Sequence, residues 1–204
     1  MSERHGARTI VLFVRHAHTD AVGARLVARL PGVMLSAAGQ VEAEKLRRML
    51  RQELISAVYS SPLERALQTA AAIANDHATL VQRCDGLTEV NFGEWTGKTF
   101  SELNDRDDWR RFNEKRGTAD VPHGESAIEV QQRIVACVRG LHDRHRNETI
   151  AAVSHADVIR PALLYYTGQS LDAWQSIDIE LASVSAVALD GATSDVLYVN
   201  RRAD

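Results

Sequence analysis

The sequence predicts an α/β protein, built as a three-layer αβα sandwich around a mixed, mostly parallel β-sheet. Short runs of β-branched and other apolar residues alternate with amphipathic helical segments over most of the chain, a pattern typical of a sheet covered by helices. Towards the end of the chain, apolar runs at 183–189 and 196–199 flank a glycine-containing turn at 190–195. These two runs predict a hairpin that adds antiparallel character at one side of the sheet.

Composition favours one globular domain over residues 1–204. The 204 residues are 45% hydrophobic and 25% charged, and the formal net charge of -3 gives no reason to expect nucleic acid or an anionic membrane as a partner. Cys84 and Cys137 are too few for a disulfide framework, so we expect both to be reduced and buried in a cytoplasmic protein. No apolar run approaches the roughly 18 residues of a membrane-spanning helix, and no signal peptide is expected.

The first predicted strand, residues 9–14, is apolar apart from Thr9 and is followed directly by Arg15 and His16. Open α/β folds bind their ligands at the carboxyl edge of the sheet, where this pair is expected to lie. A guanidinium offers a planar set of donors that matches phosphate or carboxylate, so an anion site is one interpretation. The other is that both side chains merely end the strand and face solvent.

Two helices are predicted next, with a short strand between them. The first follows a surface loop at 20–31 and begins after Ser36, whose hydroxyl suits a helix cap; its predicted apolar face is Ala43, Leu46, Leu50 and Leu54. The strand at 57–59 leads into the second helix, with Pro62 at the first helical position. The predicted buried stripe of that helix is Leu63, Ala66, Leu67, Ala70 and Ile73.

Arg65 falls in the first turn of this second helix, where the helix dipole disfavours a cation. One explanation is an arginine exposed to solvent. The alternative is that the Arg65 guanidinium and the free amides of the first turn both face a bound anion, because helix N-termini readily provide such sites.

The middle of the chain is predicted to cover the carboxyl edge of the sheet. A short strand at 80–84 precedes residues 87–97, whose acids, aromatics and glycines fit no regular element and indicate a shaped loop. Residues 98–122 are polar and charged, with Trp109 and Phe112 as the expected anchors. We interpret this last segment as a small helical lid that contributes to substrate selectivity.

A second histidine is predicted at a strand end. A long helix starts after Ser126, with an apolar face of Ala127, Val130, Ile134, Cys137, Val138 and Leu141. Residues 149–153 then repeat the opening pattern, a buried strand that delivers His155 to its carboxyl end, and a helix is predicted over 157–166. If the ends of these strands are neighbours, the histidines that follow them share one pocket.

Two imidazoles and two guanidiniums would then surround that pocket, those of His16, His155, Arg15 and Arg65. The set is net positive, suits a dianion and lacks the carboxylates that a metal cluster would normally add. Phosphoryl transfer to nitrogen meets these demands, since a neutral imidazole is a competent nucleophile and the other groups can hold the equatorial oxygens. Glu89 is the candidate acid for the leaving group and the candidate base for water.

Five segments follow one another along the chain: RHA at 15–17 with Thr19, SSPLERALQTA at 60–70, EVNFGEWTG at 89–97, GES at 124–126 and SHA at 154–156. Together they resemble the successive signature blocks of the histidine phosphatase superfamily, the phosphoglycerate mutase-like proteins, over residues 10–161. The resemblance implies that His16 is phosphorylated during the reaction and that Glu89 donates the proton. It also implies phosphate binding by Arg15, Arg65 and His155.

Three positions depart from the pattern of the family. Ala17 and Ala156 stand where members commonly have glycine, a change of little expected effect unless the glycine needs a positive φ. Val22 falls where many members have an asparagine that contacts phosphate. Either Thr19 or Asp20 fills that role, or the pocket binds phosphate with one ligand fewer. The expected substrate-binding residues are therefore Thr19, Asp20 and Ala156.

We therefore expect a metal-independent phosphatase without a cofactor that hydrolyses small phosphorylated metabolites. The alternative is a phosphoglycerate mutase-type phosphomutase, because the sequence does not show whether the lid excludes water.

His16 and His18 also resemble the H-x-H metal pair of barrel hydrolases, but such barrels need about 250 residues and eight strand–helix units. A non-catalytic phosphate-binding module is disfavoured because the nucleophile, acid and ligands are all present. Monomer and dimer remain equally open.

Overall fold

The sheet is mixed, and its central strands are parallel. In the computed structural model, which describes residues 8–191 and 193–203, the sheet contains six strands: β1 Thr9–Arg15, β2 Ile55–Ser60, β3 Val81–Arg83, β4 Thr149–Ser154, β5 Val184–Leu189 and β6 Ser194–Arg201. Their spatial order is β3-β2-β4-β1-β5-β6; the first four are parallel, and β5 is antiparallel to both β1 and β6. The predicted sheet with its antiparallel hairpin is confirmed. Ala192, in the predicted turn, lies outside the described residues.

Helices cover both faces of this sheet. Those found in the described part of the chain are α1 Ala37–Leu50, α2 Glu64–Ala74, α3 Phe100–Asn104, α4 Asp107–Glu114, α5 Ala127–Arg144 and α6 Ala156–Tyr166. Short 3-10 helices shape three connections, at Asp85–Leu87, Gly93–Trp95 and Leu171–Ser176. The Ser36 hydroxyl caps α1 as predicted, because it accepts a hydrogen bond from the Gly39 amide at 3.0 Å.

The side chains of β1 alternate between two cores. Leu12 and Val14 pack with apolar residues of α1 and α2 on one face of the sheet. Val11 and Phe13 pack on the other face with apolar residues of α5 and α6. Because successive side chains of a strand point to opposite faces, a central strand that is apolar throughout serves both layers. The predicted three-layer sandwich is confirmed.

Two helix boundaries differ from the prediction. The helix α1 ends at Leu50, and the chain turns at once through a hydrogen bond from the Glu53 amide to the Leu50 carbonyl. Leu54 therefore does not belong to the apolar face of α1, and it is 89% exposed. The helix α2 begins at Glu64 with Leu63 as its extended N-cap, so Pro62 lies in the preceding turn and not at the first helical position.

The buried face of α2 also differs from the predicted stripe. Ala66, Ala70 and Ile73 are buried as expected, but Leu63 and Leu67 are only partly buried. Arg65 is buried instead, which contradicts its interpretation as a solvent-exposed arginine. Cys84 and Cys137 were expected to be buried, and both are half-buried free thiols.

Residues 98–122 form the short helices α3 and α4 beside the carboxyl edge of the sheet. Trp109 and Phe112 are both buried, and their ring centroids lie 5.2 and 5.1 Å from that of Trp95. An antiparallel bridge between Arg25 and Thr99 connects this segment to the loop at 20–31. In the part of the chain that the structure describes, no helix is both long enough and apolar enough to cross a bilayer.

Candidate active site

The two histidines meet because their strands are neighbours. β1 and β4 pair in parallel with Arg15 opposite Ser154, so His16 and His155 emerge side by side at the carboxyl edge of the sheet. Their ring centroids are 5.1 Å apart, and the His16 amide donates to the Ser154 carbonyl at 3.0 Å. His155 is fully buried and His16 nearly so. Residues separated by more than half of the chain thus form one site.

The tautomer of His16 is set by the backbone carbonyl of the next residue. Its Nδ1 lies 2.8 Å from the Ala17 carbonyl, which can only accept, so Nδ1 carries the proton. The Nε2 lone pair then remains available, and in this structure it accepts a hydrogen bond from the Arg65 Nε at 3.3 Å. Burial and the nearby Arg65 charge lower the pKa of His16 to about 3. The ring is therefore neutral near pH 7, and Nε2 is its unprotonated nitrogen.

Three buried nitrogen atoms at the site lack hydrogen-bond partners among the described residues. The Arg65 Nη2 donates to the Ala28 carbonyl at 2.8 Å, but its Nη1 has no partner. The Arg15 Nη1 donates to the Ile179 carbonyl at 2.7 Å, but its Nε has no partner. The Nδ1 of His155 is the third. Since buried polar groups are normally paired, these nitrogens indicate a site for a ligand with several acceptor oxygens.

Glu89 lies beside this cluster, and its side chain is 13% exposed. Its Oε1 accepts from the Val90 amide at 2.9 Å, and its Oε2 lies 3.6 Å from the His155 Nδ1, too far for a hydrogen bond. Burial, together with the Asp157 charge, raises the pKa of Glu89 to about 7. A carboxyl group with this pKa exchanges a proton near neutral pH, as a general acid or base must.

Two arginines hold the main chain around Glu89, and both of them also donate hydrogen bonds to the carboxylate of Glu125. The Arg29 Nε donates to the Glu89 carbonyl at 2.6 Å, and the Arg133 Nη1 donates to the Thr88 carbonyl at 2.9 Å. Glu125 accepts from the Arg29 Nη2 at 2.6 Å and from the Arg133 Nε at 3.0 Å. The sequence indicated Glu125 only as part of the GES segment and Arg29 only as one of the positive charges of the loop at 20–31, and it predicted no role in holding Glu89 for these residues or for Arg133.

The predicted substrate-binding residues separate into two groups. Thr19 and Ala156 line a pocket of about 150 Å³ that also contains Arg15, His16, Arg65 and Glu89. Asp20 is exposed and is not part of the lining. Sequence reasoning did not single out most of the outer lining, here called the pocket rim, which consists of Val22, Arg25, Phe100 and Asp157.

The two alanines that replace the usual glycines are compatible with their backbone. Neither Ala17 nor Ala156 has a positive φ, so a methyl group brings no conformational strain at either position. The Ala17 amide donates to the Thr69 hydroxyl at 3.1 Å, which connects the loop after β1 to α2. Among the described residues, no three His, Cys, Asp or Glu side chains are grouped as potential metal ligands.

The fold and the grouped imidazole and guanidinium side chains define an α/β enzyme with an anion site at the edge of its sheet. The family model of the histidine phosphatase superfamily (branch 1) matches residues 11–202. The chain belongs to this superfamily, and the protein is a phosphatase-type hydrolase.

Individual relatives are consistent with this assignment. Phosphoserine phosphatase 1 of Hydrogenobacter thermophilus is 29% identical over 195 residues, covering 93% of this chain and 91% of the relative. Phosphoglycerate mutase-like protein 4 of Arabidopsis thaliana is 31% identical over 155 residues, covering 74% and 67%. The solved structure of Bacillus stearothermophilus YhfR superposes with a TM-score of 0.87 at 27% identity, covering 93% of this chain and 95% of YhfR.

Proposed function

We propose that the protein hydrolyses small phosphomonoesters without a metal ion, through a phosphohistidine formed at His16. The observation that carries this proposal is the neutral His16 ring, whose free Nε2 lies among three unpartnered buried nitrogens of Arg15, Arg65 and His155. A phosphate dianion offers three non-bridging oxygens to such a set. The cations then stabilise the charge that develops on these oxygens in the transition state.

In the first step, the His16 Nε2 lone pair attacks phosphorus and the bond from phosphorus to the ester oxygen breaks. The leaving alkoxide takes a proton from the Glu89 carboxyl group, which its raised pKa keeps partly protonated near pH 7. The Ala17 carbonyl, which accepts from His16 Nδ1, stabilises the positive charge that develops on the ring.

In the second step, the Glu89 carboxylate accepts a proton from water as the water oxygen attacks phosphorus. The bond between phosphorus and His16 Nε2 breaks, inorganic phosphate leaves, and the proton on Glu89 restores the starting state. The same residue thus serves as acid and then as base, which requires a pKa near the working pH.

The proposed substrates are small phosphorylated metabolites. In support, the pocket is only about 150 Å³, and one relative is named a phosphoserine phosphatase. The rim combines one arginine, one aspartate and apolar side chains, which suits a small polar leaving group. A phosphomutase remains the alternative, supported by the relative that is named phosphoglycerate mutase-like.

The test is hydrolysis of p-nitrophenyl phosphate in the presence of EDTA, followed by a screen of phosphorylated metabolites that includes a bisphosphoglycerate mutase assay. We expect phosphate release in EDTA and an acid-labile phosphoryl group on His16 in quenched reactions. No turnover between acid and neutral pH, or activity that requires an added metal, would overturn the proposal. Transfer to a second hydroxyl without phosphate release would identify the mutase.

A further inference from the structure

The two cysteines of the chain meet at the base of the segment that carries Glu89. The Sγ atoms of Cys84 and Cys137 lie 3.1 Å apart although the residues are 53 positions apart in sequence. Cys84 directly follows β3, where its amide donates to the Ser60 carbonyl at 2.8 Å, and Cys137 lies within α5. Both side chains are partly exposed, so small reagents in solution can reach them.

Close packing holds the two thiols in this position. Gly86 lies against Cys137, so closely that a methyl group on Gly86 would be 2.5 Å from the Cys137 Cβ. One turn earlier in α5, the Arg133 Nη1 donates to the carbonyls of Gly86 and Thr88, both at 2.9 Å. A disulfide needs its sulfur atoms about 2.05 Å apart. The remaining gap between the two sulfur atoms is of the order of 1 Å.

The pair also has the asymmetry that thiol exchange needs. The hydrogen bond between the two thiols, in which either sulfur can be the donor, lowers the pKa of Cys84 and raises the pKa of Cys137. A low-pKa, accessible thiol next to a second thiol is the arrangement of redox-sensitive cysteine pairs. Cys84 is therefore the attacking thiol and Cys137 the resolving one.

We propose that Cys84 and Cys137 form a reversible intramolecular disulfide on exposure to a small-molecule disulfide such as oxidised glutathione. The Cys84 thiolate attacks one sulfur of the reagent, and the first glutathione leaves as a thiolate that takes up a proton. Cys137 then loses its proton and attacks the Cys84 sulfur, which releases the second glutathione. The two cysteines lose two electrons and two protons in total, and the external disulfide gains them.

The bond would fasten the start of the segment that leads to Glu89 onto α5. It closes a loop that includes α3, α4 and Glu125, so it restricts the unfolded chain strongly while leaving the folded site in place. Oxidation is therefore expected to raise thermal stability and to leave turnover of alkyl phosphates, which depends on the Glu89 acid, within about twofold, because the Arg133 contacts to the Gly86 and Thr88 carbonyls keep the backbone around Glu89 in place.

The experiment compares the full-length protein with its C84S and C137S variants after incubation with oxidised glutathione. For the wild type we expect the loss of both titratable thiols, a mass lower by two hydrogens, and a Tm higher by about 5–10 °C that dithiothreitol reverses. The C137S variant should instead retain a glutathione adduct on Cys84, and neither variant should gain in Tm.

Three outcomes would overturn the proposal: two thiols still titratable in the oxidised wild type, a stable adduct on each cysteine, or disulfides only between chains. Loss of turnover in a protein shown by mass to contain the internal disulfide would contradict the statement that the backbone around Glu89 stays in place. Because the thiol count and the mass do not depend on catalysis, failure of the proposed phosphatase mechanism would leave this test intact.

Discussion

The floor and the rim of the active-site pocket are built in different ways. We use the name pocket floor for Arg15, His16 and Arg65, which line the pocket, together with the buried His155 that contacts His16. These residues come from the ends of two paired strands and the first turn of a helix. Arg65 in the floor is 1% exposed, whereas Val22 in the rim is 41% exposed. The rim comes from the loop at 20–31, the start of α3 and α6.

This contrast suggests that the floor and the rim of the pocket have different functions. Floor residues are surrounded by regular elements and by the sheet, so their geometry is restricted and their charges are poorly screened. Rim residues lie on loops and helix ends, where substitution is tolerated and contacts with the leaving group are made. Floor variants should therefore reduce turnover of every substrate alike, while rim variants should change the ranking of substrates. Two substitutions test this division directly, H16A in the floor and D157N in the rim, and two more, E89Q and E125Q, test the acid beside the floor and its positioning. They follow in order of decreasing expected effect.

The largest effect is expected for H16A. Loss of a nucleophile typically lowers kcat by about 10³-fold or more, so turnover of p-nitrophenyl phosphate and of every other ester should fall to near background. H18A is the matched control, because the His18 Nδ1 bonds to the Ser36 hydroxyl, away from the floor. Activity of H16A within tenfold of the wild type would remove His16 from the nucleophile role.

E89Q should discriminate between leaving groups. Removal of a general acid costs about 10²-fold or more for alkyl phosphates, and much less for p-nitrophenyl phosphate, whose leaving group needs little protonation. The protonated form of Glu89 is lost as the pH rises through about 7, so the wild-type rate with alkyl esters should fall above that pH, and E89Q should lack this limb. E94Q, in the same loop, is the control. Equal losses on both ester types in the rate of phosphohistidine formation would make Glu89 structural, because its role as base affects only the second step, which all esters share.

E125Q tests whether the two arginines position Glu89. The amide keeps the shape of the side chain but weakens the contacts to Arg29 and Arg133, so kcat for alkyl phosphates should fall by about tenfold with little change in KM. E44Q is the matched control, since Glu44 accepts from two arginines on the exposed surface of α1. A loss in E125Q that is the same for p-nitrophenyl phosphate would argue against positioning of the acid.

D157N is a rim variant and should have the smallest effect on p-nitrophenyl phosphate, a change of a few-fold. The negative charge of Asp157 helps to raise the pKa of Glu89, so its removal should move the high-pH limb of the rate profile to lower pH. The order of KM values among metabolites should change as well. D120N, at an exposed position of the segment 98–122, is the control. If the order of KM values among substrates is unchanged and the fall in rate at high pH occurs at the same pH, Asp157 contributes neither to substrate selectivity nor to the pKa of Glu89.

Several features of the site were accessible from local sequence. His16 and His155 each follow a run of apolar residues, and the carboxyl ends of parallel strands meet at one edge, so their proximity could be expected before the structure was known. Arg65 was noticed because a cation in a first helical turn is unusual. The order of strands and helices followed from hydrophobic periodicity, with errors confined to helix ends such as Leu54 and Pro62.

Other features had no local signal. Glu125 contacts Arg29 across 96 positions, and nothing in the neighbourhood of either residue indicates its partner. Asp20 was expected at the substrate as a replacement for the asparagine that many members have at the position of Val22. The turn after Thr19 instead places Thr19 in the pocket lining and leaves Asp20 in solvent. Backbone geometry alone decided that Ala17 and Ala156 can replace glycine.

The sequence by itself determined the alternation of strands and helices and the identity of the reactive side chains, because periodicity and residue type are local properties of the chain. Only the tertiary structure decided which nitrogen of His16 is free, how far burial shifts the pKa of Glu89, and which arginines hold that residue. These properties arise from desolvation and from contacts between residues far apart in sequence, which exist only once the layers of the fold have packed together.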